Sequence, residues 1–273
     1  MTNNSDPLVN SLYTSGIGRI ILKTIMITRA DKLAVAFLKS PLSKYMLPRY
    51  VRKNGLDFGR PELSGYRSFR EFFARKNASV SIDFSPKHLI SPCDGWLSVY
   101  EISESSLFKI KGSIYSTTDL IQDDTLAQKY AGGLCLVFRL CASDYHHYCY
   151  IDDSMQGNNY YIEGELHSVQ PIALENYKVF ARNRRSWCIL DTDNFGPVVQ
   201  AEIGALIVGG IVNPKSNVRV SRGEEKGHFE LSGSTIVLMF EPGRIGLLPK
   251  YKEATIENEV RVEQGMWIGI AKT

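Results

Sequence analysis

Beyond Pro86 the chain stops supporting helices, and this change of period limits the fold more than any other feature. Short alternating or β-branched runs occupy residues 96–102, 134–140, 160–166, 198–208, 236–240 and 266–270, with turn residues between them; that is strand patterning. Upstream, apolar residues from about Leu12 to Arg52 recur at helical spacing and stop at Lys53-Asn54-Gly55. Residues 62–76, ELSGYRSFREFFARK, predict one short helix with Ser64 as its cap and Phe69, Phe72 and Phe73 on one face. The helix–strand alternation of a doubly wound parallel sheet is missing. The expected class is therefore α+β: a helical N-terminal region, residues 1–60, followed by a β-rich, barrel- or sandwich-like body, residues 61–273. Neither a P-loop nor a G-x-G-x-x-G fingerprint is present, and Gly209-Gly210 is too little for a nucleotide site.

With 273 residues, 44% of them hydrophobic, the chain can bury a substantial core. Its five cysteines (Cys93, Cys135, Cys141, Cys149, Cys188) are an odd number with no C-x-x-C pair. That argues against a disulfide framework or a thiolate metal site and for a reducing compartment; no metal is expected. Residues 1–54 hold nine Lys or Arg against Asp6 and Asp31, a net +7 within a chain whose total is +3. Charges interrupt the apolar residues too often for a span of ~20 residues, and no signal-peptide core is visible. Ile20, Ile21, Thr24, Ile25 and Ile27 share one helical face, with Arg19, Lys23 and Arg29 around it. Such a helix either lies on an anionic membrane surface or packs on the protein's own core. Nucleic acid is not expected as a partner.

Four local clusters carry chemistry. In SPCDG, residues 91–95, Asp94 sits at a turn entering a strand. DYHHYCY, residues 144–150, holds two of the five histidines, His146 and His147, which face opposite ways on an extended backbone. ARNRR, residues 181–185, offers Arg182, Arg184 and Arg185 to a phosphate or carboxylate, or to solvent. The fourth is the Gly233-Ser234 bond. Alone it reads as a hairpin turn, but a serine hydroxyl there can attack the preceding carbonyl, turning the amide into an ester. β-Elimination then leaves dehydroalanine, and hydrolysis gives a pyruvoyl group. Glycine on the acyl side keeps the approach open, and a base and oxyanion donors are required. An Asp, a His and a Ser at turns supply the carboxylate–imidazole–hydroxyl relay for this.

In their order and separations, SPCDG, IKGSIYSTTDLI, DYHHYC, NRR, EIGALIVGGI and KGHFELSGSTIVLMF resemble the phosphatidylserine decarboxylase proenzyme family, and GYRSFREFFAR is similar to the segment preceding them. The resemblance covers roughly residues 60–273. It implies self-cleavage into a β chain (1–233) and an α chain (234–273), with Asp94, His146 and Ser234 as the relay. It also implies a pyruvoyl cofactor made from Ser234 that forms a Schiff base with the amine of phosphatidylserine, giving phosphatidylethanolamine and carbon dioxide. The expected partners are phosphatidylserine, an anionic membrane surface, the two chains of one precursor and a homo-oligomer. The expected place is peripheral, on the cytoplasmic side of the cell membrane. Many members of the family carry His-Arg-x-His, whereas here His147 stands for the arginine and Cys149 for the second histidine, so His146 is the preferred base and His147 its substitute. Ser232 also departs from the glycine or apolar residue often found there. Two other readings compete: an unprocessed, non-catalytic phospholipid-binding homologue, and a Ser-His-Asp hydrolase, for which no G-x-S-x-G elbow surrounds Ser234.

Overall fold

The computed structural model describes residues 7–28, 30–57, 59–76, 80–110, 113–164, 167–168, 179–204, 210–231, 234–255 and 257–272. Ser232, Gly233, residues 165–166 and 205–208 of two expected strands, and the side chains of Ile25, Ile27 and Arg29 lie outside them.

Helices α1 (Pro7–Thr14), α2 (Gly16–Thr28) and α3 (Ala30–Lys39) lead through a 3-10 segment, Pro41–Met46, to α4 (Leu47–Lys53), α5 (Arg60–Ser64) and α6 (Phe69–Phe73). The single helix expected over 62–76 is therefore two. Ser68 is extended and its hydroxyl accepts from the Glu71 amide at 3.2 Å, so it starts a new helix, whereas Ser64 is the last residue of α5 and not a cap. Phe69, Phe72 and Phe73 are buried with Leu47, Val51, Leu63 and Leu231, which fastens α4, α5 and α6 to the chain just ahead of Ser234.

The body contains β1 (His88–Ile90), β2 (Gly95–Glu101), β3 (Leu107–Ile110), β4 (Ser113–Ser116), α7 (Thr117–Ile121), α8 (Asp124–Gln128), β5 (Leu134–Leu140), β6 (His147–Cys149), β7 (Ser154–Gln156) and β8 (Tyr160–Ile162). It continues with β9 (Arg185–Thr192), β10 (Gly196–Ile203), β11 (Ile211–Val212), β12 (Val218–Val220), β13 (Glu225–Phe229), β14 (Ser234–Phe240), β15 (Ile245–Leu247), β16 (Val260–Val262) and β17 (Trp267–Ala271). Every pairing among the described residues is antiparallel.

The main sheet runs β12-β7-β9-β10-β14-β5-β2-β16, with β8 also on β9. Because β12 and β16 end that path without pairing to each other, the sheet is open and not a closed barrel. Alternation divides its side chains between two cores. Leu136, Phe138, Leu140, Ile236, Leu238 and Phe240 share one with residues of the small sheets β1-β17-β15 and β11-β13-β6. Cys135, Val137, Val237 and Met239 share the other with Leu120, Ile121 and Tyr130 from the α7–α8 region and with Tyr13 of α1. Two covered faces explain why β14, STIVLMF, is buried at all seven positions and reads as an unbroken apolar run from Ile236 to Phe240.

Candidate active site

Three neighbouring strands bring the separated motifs to one end of the main sheet. Trp96 of β2 pairs with Arg139 of β5, and Leu140 of β5 pairs with Ser234 of β14. Gly95, Leu140 and Ser234 therefore lie abreast, and Asp94 is one residue beyond that row. Strands ~4.8 Å apart place Gly95 and Ser234 roughly 10 Å from each other. Glycine is needed at 95: a Cβ there would stand 2.9 Å from the Arg139 carbonyl oxygen. Ser234 is fully buried.

The turn leaving β5 supplies the histidines. Asp144 closes it: its amide donates to the Cys141 carbonyl at 3.0 Å, and its Oδ2 accepts from the Cys141 amide at 2.7 Å. Arg261 donates to the other carboxylate oxygen at 2.9 Å. Burial pushes the Asp144 carboxyl above its usual range, Arg261 and the Cys141 amide pull against that, and the charge of Asp94 adds to the rise. Tyr50 of α4 donates its hydroxyl to the Ala142 carbonyl, which ties the N-terminal helices to the same turn.

His146 has no solvent exposure and packs against Phe73, ring centroids 4.2 Å apart. Its Nδ1 donates to the Asp144 carbonyl at 2.8 Å, and its own carbonyl accepts from the Phe229 amide at 3.0 Å, five residues before Ser234. A carbonyl only accepts, so Nδ1 carries the proton and Nε2 is the basic nitrogen of the neutral ring. His147 has a different set of partners. Its Nε2 donates to the Ala74 carbonyl and its Nδ1 meets Glu225 Oε1, each at 3.0 Å, and it stacks between Tyr145 and His228.

Asp94 is half-buried, and its Oδ1 accepts from the Gln264 amide at 2.9 Å. It lines a cleft of about 550 Å³ with Asp83, Glu263, Gln264, Met266 and Trp267, which is ample for a small polar headgroup. Three carboxylates on that wall favour a cationic group. Cys149 is fully buried under the same motif, its amide bonded to the Pro92 carbonyl at 2.8 Å, and burial pushes its thiol up to about 12. It is a small apolar filler and no base.

Within the arginine cluster, Arg182 is exposed to solvent and Arg184 meets a carboxylate, as expected, but Arg185 does neither. Arg185 is buried and donates to four main-chain carbonyls, those of Asp119, Leu120, Ala181 and Asn183, at 2.7–2.9 Å. It clamps α7 to the start of β9, and burial lowers its guanidinium pKa to about 10. Arg184 instead meets Glu163 at 3.2 Å. Asp144, Arg261 and Tyr50 escaped the sequence reading. Asp144 opens the DYHHYC motif and was within reach, whereas Arg261 and Tyr50 arrive from remote strands and helices and leave no local signal.

The α+β body thus has Asp94 and Ser234 at one end of its main sheet, with His146 in the turn that leaves β5. Residues 69–270 match the family model described as phosphatidylserine decarboxylase. The chain is similar to phosphatidylserine decarboxylase proenzyme 2 of Clostridium acetobutylicum, 39% identical over 92% of this chain and 88% of the relative. It is 37% identical to the phosphatidylserine decarboxylase proenzyme of Clostridium perfringens, over 96% and 92% of the two chains. A third relative, from Ruminiclostridium cellulolyticum, is 39% identical over 87% and 82%. The chain belongs to the phosphatidylserine decarboxylase family and is an enzyme of that family.

Proposed function

We propose that the chain cuts itself between Gly233 and Ser234, and that the pyruvoyl group so formed at position 234 serves the decarboxylation of phosphatidylserine to phosphatidylethanolamine and carbon dioxide. The observation that carries this is the row Gly95–Leu140–Ser234, which brings Asp94 to the sheet end where Ser234 begins its strand. Family membership supplies the reaction class.

His146 Nε2 takes the proton of Ser234 Oγ as that oxygen bonds to the Gly233 carbonyl carbon, and the proton passes to the leaving nitrogen. Asp94 supplies negative charge beside the imidazolium. The donor set fits the cofactor: a serine that becomes it, a base with one defined basic nitrogen, and a carboxylate. A pyruvoyl group formed from Ser234 would supply a ketone for the substrate amine and an electron sink for the pair released as carbon dioxide leaves. His146 returns a proton to the substrate carbon. With Cys149 protonated throughout the neutral range, the base role falls to His146.

The N-terminal region, residues 1–60, holds the enzyme on the cytoplasmic face of the membrane. Of the apolar face expected on this helix, Ile20 and Ile21 are 68% and 47% exposed and Thr24 is exposed, which supports the membrane-surface reading, and Ile17 and Leu33 are exposed beside them. Arg19, Lys23 and Lys32 are exposed among them, which suits an anionic surface. No helix among the described residues is long and apolar enough to cross a membrane.

The mass of the purified chain tests the reading. Two fragments, 1–233 and a 234–273 piece blocked to Edman degradation, are expected, with Ser234→Ala intact. An unmodified Ser234 in protein that decarboxylates phosphatidylserine would overturn it.

A further inference from the structure

We propose that His147, Glu225 and His228 form a binding site for a first-row divalent transition metal, with zinc the best match. Their donor atoms all lie within 4.8 Å of one another. The cysteine spacing gave no hint of a metal, because this site has no thiolate and joins two strands 78 positions apart.

The backbone builds the cluster. His147 on β6 is the direct cross-strand partner of His228 on β13, and the rings stack 4.8 Å apart at 22°. Glu225 is three residues before His228, so on a regular strand it would face the other way. The register shifts between Glu225 and Gly227, where two β13 residues oppose one of β6. That bulge turns Lys226 inward to an ion pair with Glu202 at 2.8 Å and leaves Glu225 beside the two histidines.

Hydrogen bonding makes the second, independent case. The Ala74 carbonyl can only accept, so His147 Nε2 carries a proton and donates to it at 3.0 Å. In the neutral ring, the Nδ1 lone pair then faces Glu225 Oε1 at 3.0 Å, acceptor against acceptor. Either a second ring proton, making an ion pair, or a bound cation between them relieves this contact. Metal-bound histidines characteristically donate their second ring N–H to a main-chain carbonyl in this way. Zinc bonds of about 2.0–2.1 Å in a tetrahedron separate neighbouring ligands by about 3.3 Å. The His147–Glu225 spacing is already close to that, whereas His228 must move inward by up to about 1.5 Å and rotate out of its stack on His147, because a metal lies in the plane of each ring that binds it. Lys76 holds the other Glu225 oxygen at 2.9 Å, but its side chain is 75% exposed and can swing away.

Metal binding is read directly, without relying on the chemistry proposed at Ser234. Full-length protein, stripped of metal near neutral pH, is titrated with Co²⁺ and then Zn²⁺ by calorimetry and visible absorption. One equivalent of Co²⁺ with d–d bands, displaced by Zn²⁺ and accompanied by a higher melting temperature, is expected. His228→Ala and Glu225→Gln should weaken binding at least about tenfold, with circular dichroism verifying the fold. Lys76→Ala should bind as well or better, since a competitor for Glu225 is gone. Absence of saturable binding, binding untouched by His228→Ala and Glu225→Gln in folded protein, or weaker binding by Lys76→Ala would each overturn the proposal.

Discussion

The Nδ1 of His146 is bonded at 2.8 Å to the main-chain carbonyl of Asp144, two residues earlier in the same turn. The imidazole is thus oriented by backbone that no side-chain substitution deletes, and its Nε2 is committed to the basic role. His147, one residue on, is held by Ala74 and Glu225 instead. Intact-mass analysis of His146→Ala should find an uncut chain or a cut slowed by about 10²–10⁴. His147→Ala should still give fragments 1–233 and 234–273. The reverse pattern would move the base to His147.

Cys149 stands where the family resemblance leads one to expect a histidine, and its thiol is fully buried. Cys149→Ala should therefore self-cleave as completely as the parent chain. Its cost is that of a small buried side chain, about 1 kcal/mol, read as a lower urea midpoint. A Cys149→Ala chain that folds and stays uncut would give the thiol a role in the chemistry.

Much of this was legible in the chain. Residues 134–140 and 236–240 stand out as strands because both sheet faces are covered, so every position but Arg139 is apolar. Asp94, His146 and Ser234 stood out because each sits at a turn beside such a strand. What the sequence withheld is long-range. The break between α5 and α6 depends on Ser68 outcompeting Ser64 as a cap. The role of Arg185 depends on carbonyls some 65 residues away. The His147–Glu225–His228 cluster depends on a one-residue bulge that no periodicity announces.

Asp83 forms part of the cleft wall and pairs with His88, which stacks on Trp267 at 4.1 Å. Desolvation works to raise the Asp83 carboxyl, but hydrogen bonds from His88 and the Ser85 amide outweigh it and hold it at about 2. Because the folded value lies below an unfolded value of about 3.9, the stabilisation is complete above that value and disappears as the pH falls toward 2. In urea melts, Asp83→Asn should be less stable than the parent above about pH 5 and indistinguishable from it near pH 2. An equal gap at both ends would show that the pair acts through packing alone.

Arg139 lies between Trp96 and Thr235 in the three-strand row, and its Nε donates to Glu259 at 2.9 Å while Nη2 holds the second carboxylate oxygen. Both side chains are at least 94% buried. Removing one partner leaves a buried charge, so Glu259→Gln should lose about 3–5 kcal/mol, with slower self-cleavage because the strand carrying Ser234 loosens. Replacing both by leucine should cost less than either single change. A single substitution that leaves thermal unfolding unmoved would show that the pair is solvated in solution.

Ile17, Ile20 and Ile21 project from α2 into solvent with exposures of 76, 68 and 47%. Burying one isoleucine in lipid is worth roughly 1.5–3 kcal/mol, and each nearby cation adds about 1 kcal/mol at an anionic surface. Ile20→Asp removes the first contribution and opposes the second. Sedimentation with phosphatidylserine-containing vesicles should fall at least about tenfold, the equivalent of 1.4 kcal/mol, and parent binding should weaken as salt is raised. Cleavage at Gly233-Ser234 should be unaffected, because Ile20 is solvent-exposed and outside the core clusters. Vesicle binding that is indifferent both to Ile20→Asp and to salt would remove this face from the membrane and leave its exposed isoleucines for a protein partner.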